Sequence, residues 1–227
     1  MQAVVVGGSS NIGRSICAQL VKEGYTVIGT YCAHAPNAMQ GCTFRQLNNV
    51  DEVQVSKFFS SFTALDLLVN VSGVFTESLQ QELDIHDFTN VFDVNVKGMF
   101  LCCKHAIPLL ALHHGSIINI ASSNAFHPGF GKTVHYDASK GAVVSYTRSL
   151  AAELGPQSIR VNAVAPGLIN APYLDRPENP TKGKFLARAV IKRLVEPEDI
   201  ASAVLFLARN TAVTGQTICV DCGYLIG

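Results

Sequence analysis

The sequence predicts an α/β protein: a single domain over residues 1–227 built on a doubly wound parallel sheet of about seven strands, with helices on both faces. Three observations predict it. Short apolar, β-branched runs alternate with longer stretches of helical periodicity along the chain. Leu67-Leu68-Val69 and Ile117-Ile118 are apolar at consecutive positions, as a strand covered on both faces requires. A glycine-containing turn stands between the first strand pattern and the first helical pattern, where open α/β sheets receive ligands.

The elements follow in order. Residues 3–6, all apolar, give the first strand. A helix is expected over 11–23, because Ile12, Ile16 and Leu20 recur on one face and Gly24 supplies a C-terminal stop. Strands are expected at 26–30 and 43–46, then a helix at 51–62 and a strand at 67–71. The helical pattern over 88–112 contains Pro108 and is expected to be kinked or in two pieces. A strand at 116–120, a helix at 136–154 and a strand at 160–165 come next. Pro197 suits the start of a helix over 198–208, and residues 217–220 give the last strand. Residues 168–184, rich in Pro, Asn and Gly, read as a long loop with room for short helices.

Composition narrows the function. Hydrophobic residues make up 48% of the chain, so it has the means to bury a core. Seventeen basic residues balance seventeen acidic ones, and no Lys/Arg run is present, which argues against nucleic-acid or anionic-membrane binding. The N-terminus opens directly on a strand pattern, so no signal peptide is expected. No apolar run reaches the roughly 18 residues that span a bilayer. Seven cysteines, with Cys219 and Cys222 spaced C-x-x-C at a strand end, show no metal-ligand spacing and are expected to be inert thiols in a reducing cytoplasm.

Four features carry chemistry. The turn Gly7-Gly8-Ser9-Ser10-Asn11-Ile12-Gly13 lets the backbone approach a pyrophosphate at a helix N-terminus, whose free N–H groups favour anions. Tyr136 and Lys140, four residues apart on a helix, share a face. An ammonium beside a phenol favours the phenolate, and a tyrosine tuned in that way exchanges protons near neutral pH. Ser122 and Ser123 follow a central strand directly, at its ligand edge. Asn95 lies within a helical pattern. Each has a plainer reading in isolation: a tight turn, a surface Tyr–Lys pair, turn serines and a solvated Asn.

Together these residues resemble the short-chain dehydrogenase/reductase family, over essentially the whole chain and in the same order. Val6–Gly13 resembles its T-G-x-x-x-G-x-G turn, and Asn70-Val71-Ser72-Gly73 its N-N-A-G. Asn95, a serine, Tyr136 and Lys140 match its Asn, Ser and Y-x-x-x-K; Pro166-Gly167 and Val220-Asp221-Cys222-Gly223 match later P-G and V-D-G-G motifs. The resemblance implies a Rossmann-type fold and hydride transfer between a nicotinamide cofactor and a carbonyl/alcohol substrate, of the ketoreductase or alcohol dehydrogenase type. Tyr136 would be the general acid/base. Lys140 would lower its pKa and hold the nicotinamide ribose. Ser122, preferred over Ser123 on strand register, would bond the substrate oxygen, and Asn95 would anchor a water relaying protons to Lys140. The cofactor would lie against Gly7, Ser9, Asn11, Ile12, Gly13, Tyr31, Asn48, Asn70, Ser72, Gly73, Pro166, Gly167 and Ile169, with Tyr136 and Lys140. No metal is implied.

The sequence departs from the family at several points. Asn48 stands where an Asp commonly contacts adenine, and Ala171 replaces a Thr that often bonds the nicotinamide carboxamide. The end of the second strand, Thr30-Tyr31-Cys32-Ala33-His34, lacks the carboxylate that would repel a 2′-phosphate, which favours NADP(H) over NAD(H), with Arg14 as a nearby cation. Substrate choice is expected to lie in residues 168–192 and 124–135, with Tyr173, Leu174 and Phe185 as an apolar lid and Phe126, His127 and Phe130 near the pocket. The resemblance also implies a cytoplasmic homotetramer or homodimer, with the apolar helices 98–112 and 136–154 and the tail 223–227 supplying interfaces. The competing expectation is a non-catalytic cofactor sensor on the same fold, a class that usually lacks the Tyr or the Lys.

Overall fold

The structure, a computed structural model, describes residues 1–175 and 180–227, apart from the side chain of Tyr173. Seven strands, β1 (Gln2–Val6), β2 (Thr26–Tyr31), β3 (Cys42–Gln46), β4 (Leu67–Asn70), β5 (Ser116–Ile120), β6 (Arg160–Pro166) and β7 (Thr217–Val220), pair in the order β3-β2-β1-β4-β5-β6-β7. Every pairing is parallel. The expected strands are all present, with ends shifted by a residue at most.

Side-chain alternation explains why the central strands look apolar throughout. In β1, Ala3 and Val5 face one core while Val4 and Val6 face the other. In β4, Leu67 and Val69 divide from Leu68, and in β5 Ile117 divides from Ile118. Successive side chains point to opposite faces, so only a sheet covered on both sides demands unbroken hydrophobicity. On one side lie α2 (Glu52–Phe59), α4 (Gly98–Leu110) and α5 (Val134–Leu154). On the other lie α1 (Asn11–Lys22), α6 (Thr181–Arg188) and α7 (Pro197–Arg209). Each fully buried Val, Leu or Ile contributes about 1.5–3 kcal/mol.

The helical pattern expected over 88–112 breaks elsewhere than at its proline. Asp84 caps α3 (Ile85–Phe92), accepting from the His86 N–H at 2.6 Å. A π-helical turn, Asp93–Lys97, joins α3 to α4. Pro108 sits in the last turn of α4, where its missing N–H removes one bond without interrupting the helix. The loop expected over 168–184 contains a short 3₁₀ turn, Pro172–Asp175, and the start of α6.

After β3 the chain crosses over β1 to begin β4 on the far side. The loops following β1 and β4 therefore part at the carboxyl edge of the sheet, which opens a crevice there.

Candidate active site

The turn after β1 forms one wall of that crevice. Gly7 has a positive φ of 82°, and a methyl on it would lie 2.6 Å from the Ser72 nitrogen in the β4 loop. A methyl on Gly13 would lie 2.2 Å from the Gly7 carbonyl oxygen, so the first turn of α1 closes directly onto the loop. Ser10 holds that closure: its hydroxyl donates to the Gly7 carbonyl at 2.8 Å and accepts from the Gly13 N–H at 3.1 Å. From β2, the buried Thr30 hydroxyl accepts the Gly7 N–H at 3.1 Å. Among the described residues, the N–H groups of Asn11 and Ile12 have no hydrogen-bond partner. A cradle too tight for a Cβ, ending in unpaired helix N–H groups, fits a dinucleotide pyrophosphate.

The remaining expected cofactor residues fall along the same edge, with one qualification. Tyr31 ends β2, and its carbonyl accepts the Leu47 N–H at 2.8 Å. Asn48 lies just past β3, and its side chain accepts the Val50 N–H at 3.3 Å. Ser72 and Gly73 pass between the first turn and Lys140: a methyl on Gly73 would lie 3.4 Å from the Lys140 Nζ. Gly167 and Ile169 line the cleft, and Pro166 ends β6 beneath them. Asn70, by contrast, turns its amide nitrogen into the core, donating to Asn119 at 2.9 Å and to the Cys103 sulfur at 3.4 Å. It joins β4 to β5 and α4.

The opposite wall is α5. Tyr136 and Lys140 sit one turn apart, with the Lys140 Nζ 5.8 Å from the centre of the tyrosine ring. Lys140 is buried, and its ammonium donates to the Ile120 carbonyl at the end of β5, 2.9 Å away. Burial lowers its pKa to about 8. The Phe75 ring stands edge-on to Tyr136, centroids 4.9 Å apart. Ser122 and Ser123 both reach the cleft; the Ser122 hydroxyl accepts the Asn124 N–H at 3.1 Å.

Asn95, at the centre of the π turn and buried, holds these parts together. Its carbonyl oxygen accepts the Val74 N–H at 2.8 Å. Its amide donates to the Val74 carbonyl at 3.1 Å and to the Ser139 hydroxyl at 3.0 Å. Ser139 in turn donates to the Tyr136 carbonyl at 2.7 Å. Both amide hydrogens of Asn95 are thereby committed, so its side chain acts as a clamp between the β4 loop and α5.

Several positioning residues escaped the sequence reading. Asp137 accepts from the Asn124 amide (2.7 Å), the Gly129 N–H (3.1 Å) and the Thr133 hydroxyl (3.0 Å), fastening the 124–133 loop to the catalytic helix. His135 is buried, with its Nε2 2.7 Å from the Thr76 hydroxyl. That bond ties the residue beside Phe75 to the residue beside Tyr136. Thr76→Val should therefore lower kcat several-fold, about 1 kcal/mol, with little change in cofactor affinity. Steady-state kinetics beside a cofactor titration checks this; equal losses in both would mark the bond as purely structural.

The cleft between these walls has a volume of about 830 Å³. Leu174 and Phe185, expected as a lid, are buried, and Phe185 stacks on Tyr224 at 5.0 Å. Tyr224, from the tail expected to serve an interface, is itself buried and lines the cleft. Phe130 reaches the cleft, while His127 packs edge-on against Tyr224 and Phe126 is half exposed. Residues 176–179 of the substrate segment, and the side chain of Tyr173, lie outside the described residues.

A dinucleotide cradle facing a Tyr–Lys pair across a cleft of about 830 Å³ defines a nicotinamide-dependent oxidoreductase. Residues 6–225 match a family model described as "Enoyl-(Acyl carrier protein) reductase". The chain is 36% identical to the 3-oxoacyl-[acyl-carrier-protein] reductase FabG of Staphylococcus aureus, over 97% of this chain and 96% of that protein. It is 31% identical to the same enzyme of Thermotoga maritima, over 98% and 97%. Among solved structures, a short-chain dehydrogenase/reductase of Serratia marcescens superposes with a TM-score of 0.91 at 31% identity, covering 99% of this chain and 97% of that one. The aldohexose dehydrogenase of Thermoplasma acidophilum superposes at 0.92 with 27% identity, covering 100% and 94%. The chain belongs to the short-chain dehydrogenase/reductase family, and it is an oxidoreductase acting on CH–OH/C=O groups.

Proposed function

We propose that this oxidoreductase reduces a ketone carrying an apolar chain, with NADP(H) as the favoured cofactor and Tyr136 as the general acid. The observation that carries the reading is Lys140, a buried ammonium seated between the Ile120 carbonyl and the Tyr136 ring. A cation at that place stabilises the phenolate left when Tyr136 gives its proton to a carbonyl oxygen. A nicotinamide bound along the carboxyl edge of the sheet would supply the hydride. Ser122 is the preferred second donor to the substrate oxygen: its oxygen accepts the Asn124 N–H, which leaves its own hydrogen to donate. Asn95 contributes by fixing the β4 loop and Ser139 around the pair.

Two observations support the finer choices. Phe75, Leu168, Ile169, Leu174 and Phe185 give the cleft apolar walls, which suit a 3-oxoacyl-type chain better than a polyhydroxylated sugar. Arg14 donates to the Asn37 carbonyl at 2.9 Å and lies 5.7 Å over the Phe44 ring, which places a guanidinium against the β2–β3 connection. A 2′-phosphate there would gain a charge-assisted bond of about 1.5–3 kcal/mol.

Turnover of a 3-oxoacyl thioester with NADPH and NADH, and of an aldohexose with NADP+ and NAD+, tests the proposal. The thioester with NADPH should be fastest, and Arg14→Gln should weaken NADPH about tenfold while sparing NADH. Tighter binding of NADH by the unaltered protein overturns the cofactor choice. Faster sugar oxidation overturns the substrate choice.

A further inference from the structure

Two of the seven cysteines meet outside the catalytic cleft. Cys17 lies on the buried face of α1, one turn beyond Gly13, and is 0% exposed. Cys42 opens the edge strand β3 and is half-buried. Cys42 packs against the same apolar cluster that holds Cys17, and the two thiols influence each other. Both also converge on Gly29 of β2. A methyl on Gly29 would stand 2.7 Å from the Phe44 ring and 3.3 Å from the Cys17 Sγ, and the Gly29 backbone lowers the Cys42 thiol.

The two thiols are unlike. The Cys17 thiol beside it, with the Arg14 charge nearby, holds Cys42 below its ordinary value. Cys17, buried against it, is pushed up. A half-exposed thiol in positive surroundings beside a buried protonated one pairs an attacking sulfur with a resolving sulfur. Four of the other thiols lack this setting: desolvation raises Cys102, Cys103, Cys219 and Cys222.

Cys17 also supports the dinucleotide turn. A methyl on Gly8 would lie 3.2 Å from the Cys17 Sγ and 2.7 Å from the Gly29 Cα, so Gly8 rests on that sulfur and on β2.

We propose that Cys42 and Cys17 form a modification site, in which a hydroperoxide converts the pair to a disulfide and loosens the dinucleotide turn above it. The Cys42 thiolate attacks one peroxide oxygen. The O–O bond breaks, sulfur is oxidised to the sulfenic acid, and the peroxide is reduced to an alcohol, or to water from hydrogen peroxide. The Cys17 sulfur then attacks the Cys42 sulfur, the S–O bond breaks, and the hydroxyl leaves as water with the Cys17 proton. One hydroperoxide and two thiols thus give one disulfide, one alcohol and one water. Closing an S–S bond of about 2.0 Å draws the Cys17 Sγ toward β3 and out from under Gly8.

The test treats the full, cofactor-free chain with a few equivalents of hydrogen peroxide. Peptide mapping should find residues 17 and 42 linked. NADPH and NADH titrations should show binding about tenfold weaker, equivalent to about 1.4 kcal/mol, and dithiothreitol should restore both measurements. Cys42→Ser should form no such link and should keep its affinity after peroxide. Cys17→Ala should hold Cys42 as a sulfenic acid that dimedone captures. A disulfide at other cysteines, no disulfide at all, or a 17–42 link with unchanged affinity would overturn the proposal.

Discussion

Tyr136→Phe should fold, bind its nicotinamide cofactor as the unaltered protein does, and turn over about 10²–10⁴ times more slowly, the usual worth of a positioned acid/base. The exchange removes one hydroxyl and keeps the ring. The edge-on contact with Phe75, 4.9 Å between centroids, survives. So does the bond from Ser139 to the residue 136 carbonyl, which belongs to the backbone. A melting curve, a cofactor titration and single-turnover kinetics separate the three effects. Near-normal turnover would move the proton to another donor, with Ser122 and Ser123 as hydroxyls on the same cleft.

Lys140→Met should act on turnover and stability in opposite directions. Turnover falls because the cation beside Tyr136 is gone. Stability rises near neutral pH because an ammonium no longer has to be buried there. Burial lowers the lysine from 10.5 to about 8. Between those values the unfolded chain binds more protons than the native one, so native stability rises with pH across that window. The full cost of the buried charge is present below pH 8, about 3 kcal/mol by linkage, and fades toward 10.5. The variant's advantage over the unaltered protein should therefore be larger near pH 7 than near pH 10. Part of the gain is offset because the Ile120 carbonyl loses its 2.9 Å donor. Turnover of the unaltered enzyme should correspondingly fall as pH rises through about 8. Denaturant titrations of both proteins at the two pH values check the sign, and an advantage independent of pH would refute it.

The fold was legible because its signals are local. Continuous apolar runs such as Val4-Val5-Val6 announce a two-sided sheet, and Ile12, Ile16 and Leu20 announce a helix face. The site was legible where backbone conformation demands a residue type, as at Gly7 and Gly13. It was opaque where function depends on meetings across the chain. Thr76 and His135 are 59 residues apart, and the bond from Gly7 to Thr30 spans 23. Ser10 carried a readable signal, a serine just ahead of the first periodic residue. Asp137 and Ser139 lie between Tyr136 and Lys140, yet their partners lie on other elements. Tyr224 sits in a short tail whose inward packing has no periodic signature.

The π turn at Asp93–Lys97 also fixes the length of the chain. Each residue of an α-helix advances the next by about 100° around the axis. Deleting one residue there would rotate all of α4 by about that angle relative to α3. Met99, Cys102, Cys103 and Ala106, now buried against the sheet, would swing sideways, and exposed neighbours such as Phe100 would be carried round with them. Asn95 would lose its line to Val74 and Ser139 in the same movement. In this stretch the number of residues is constrained as tightly as their identity, because a miscount is passed on to every side chain downstream in the helix.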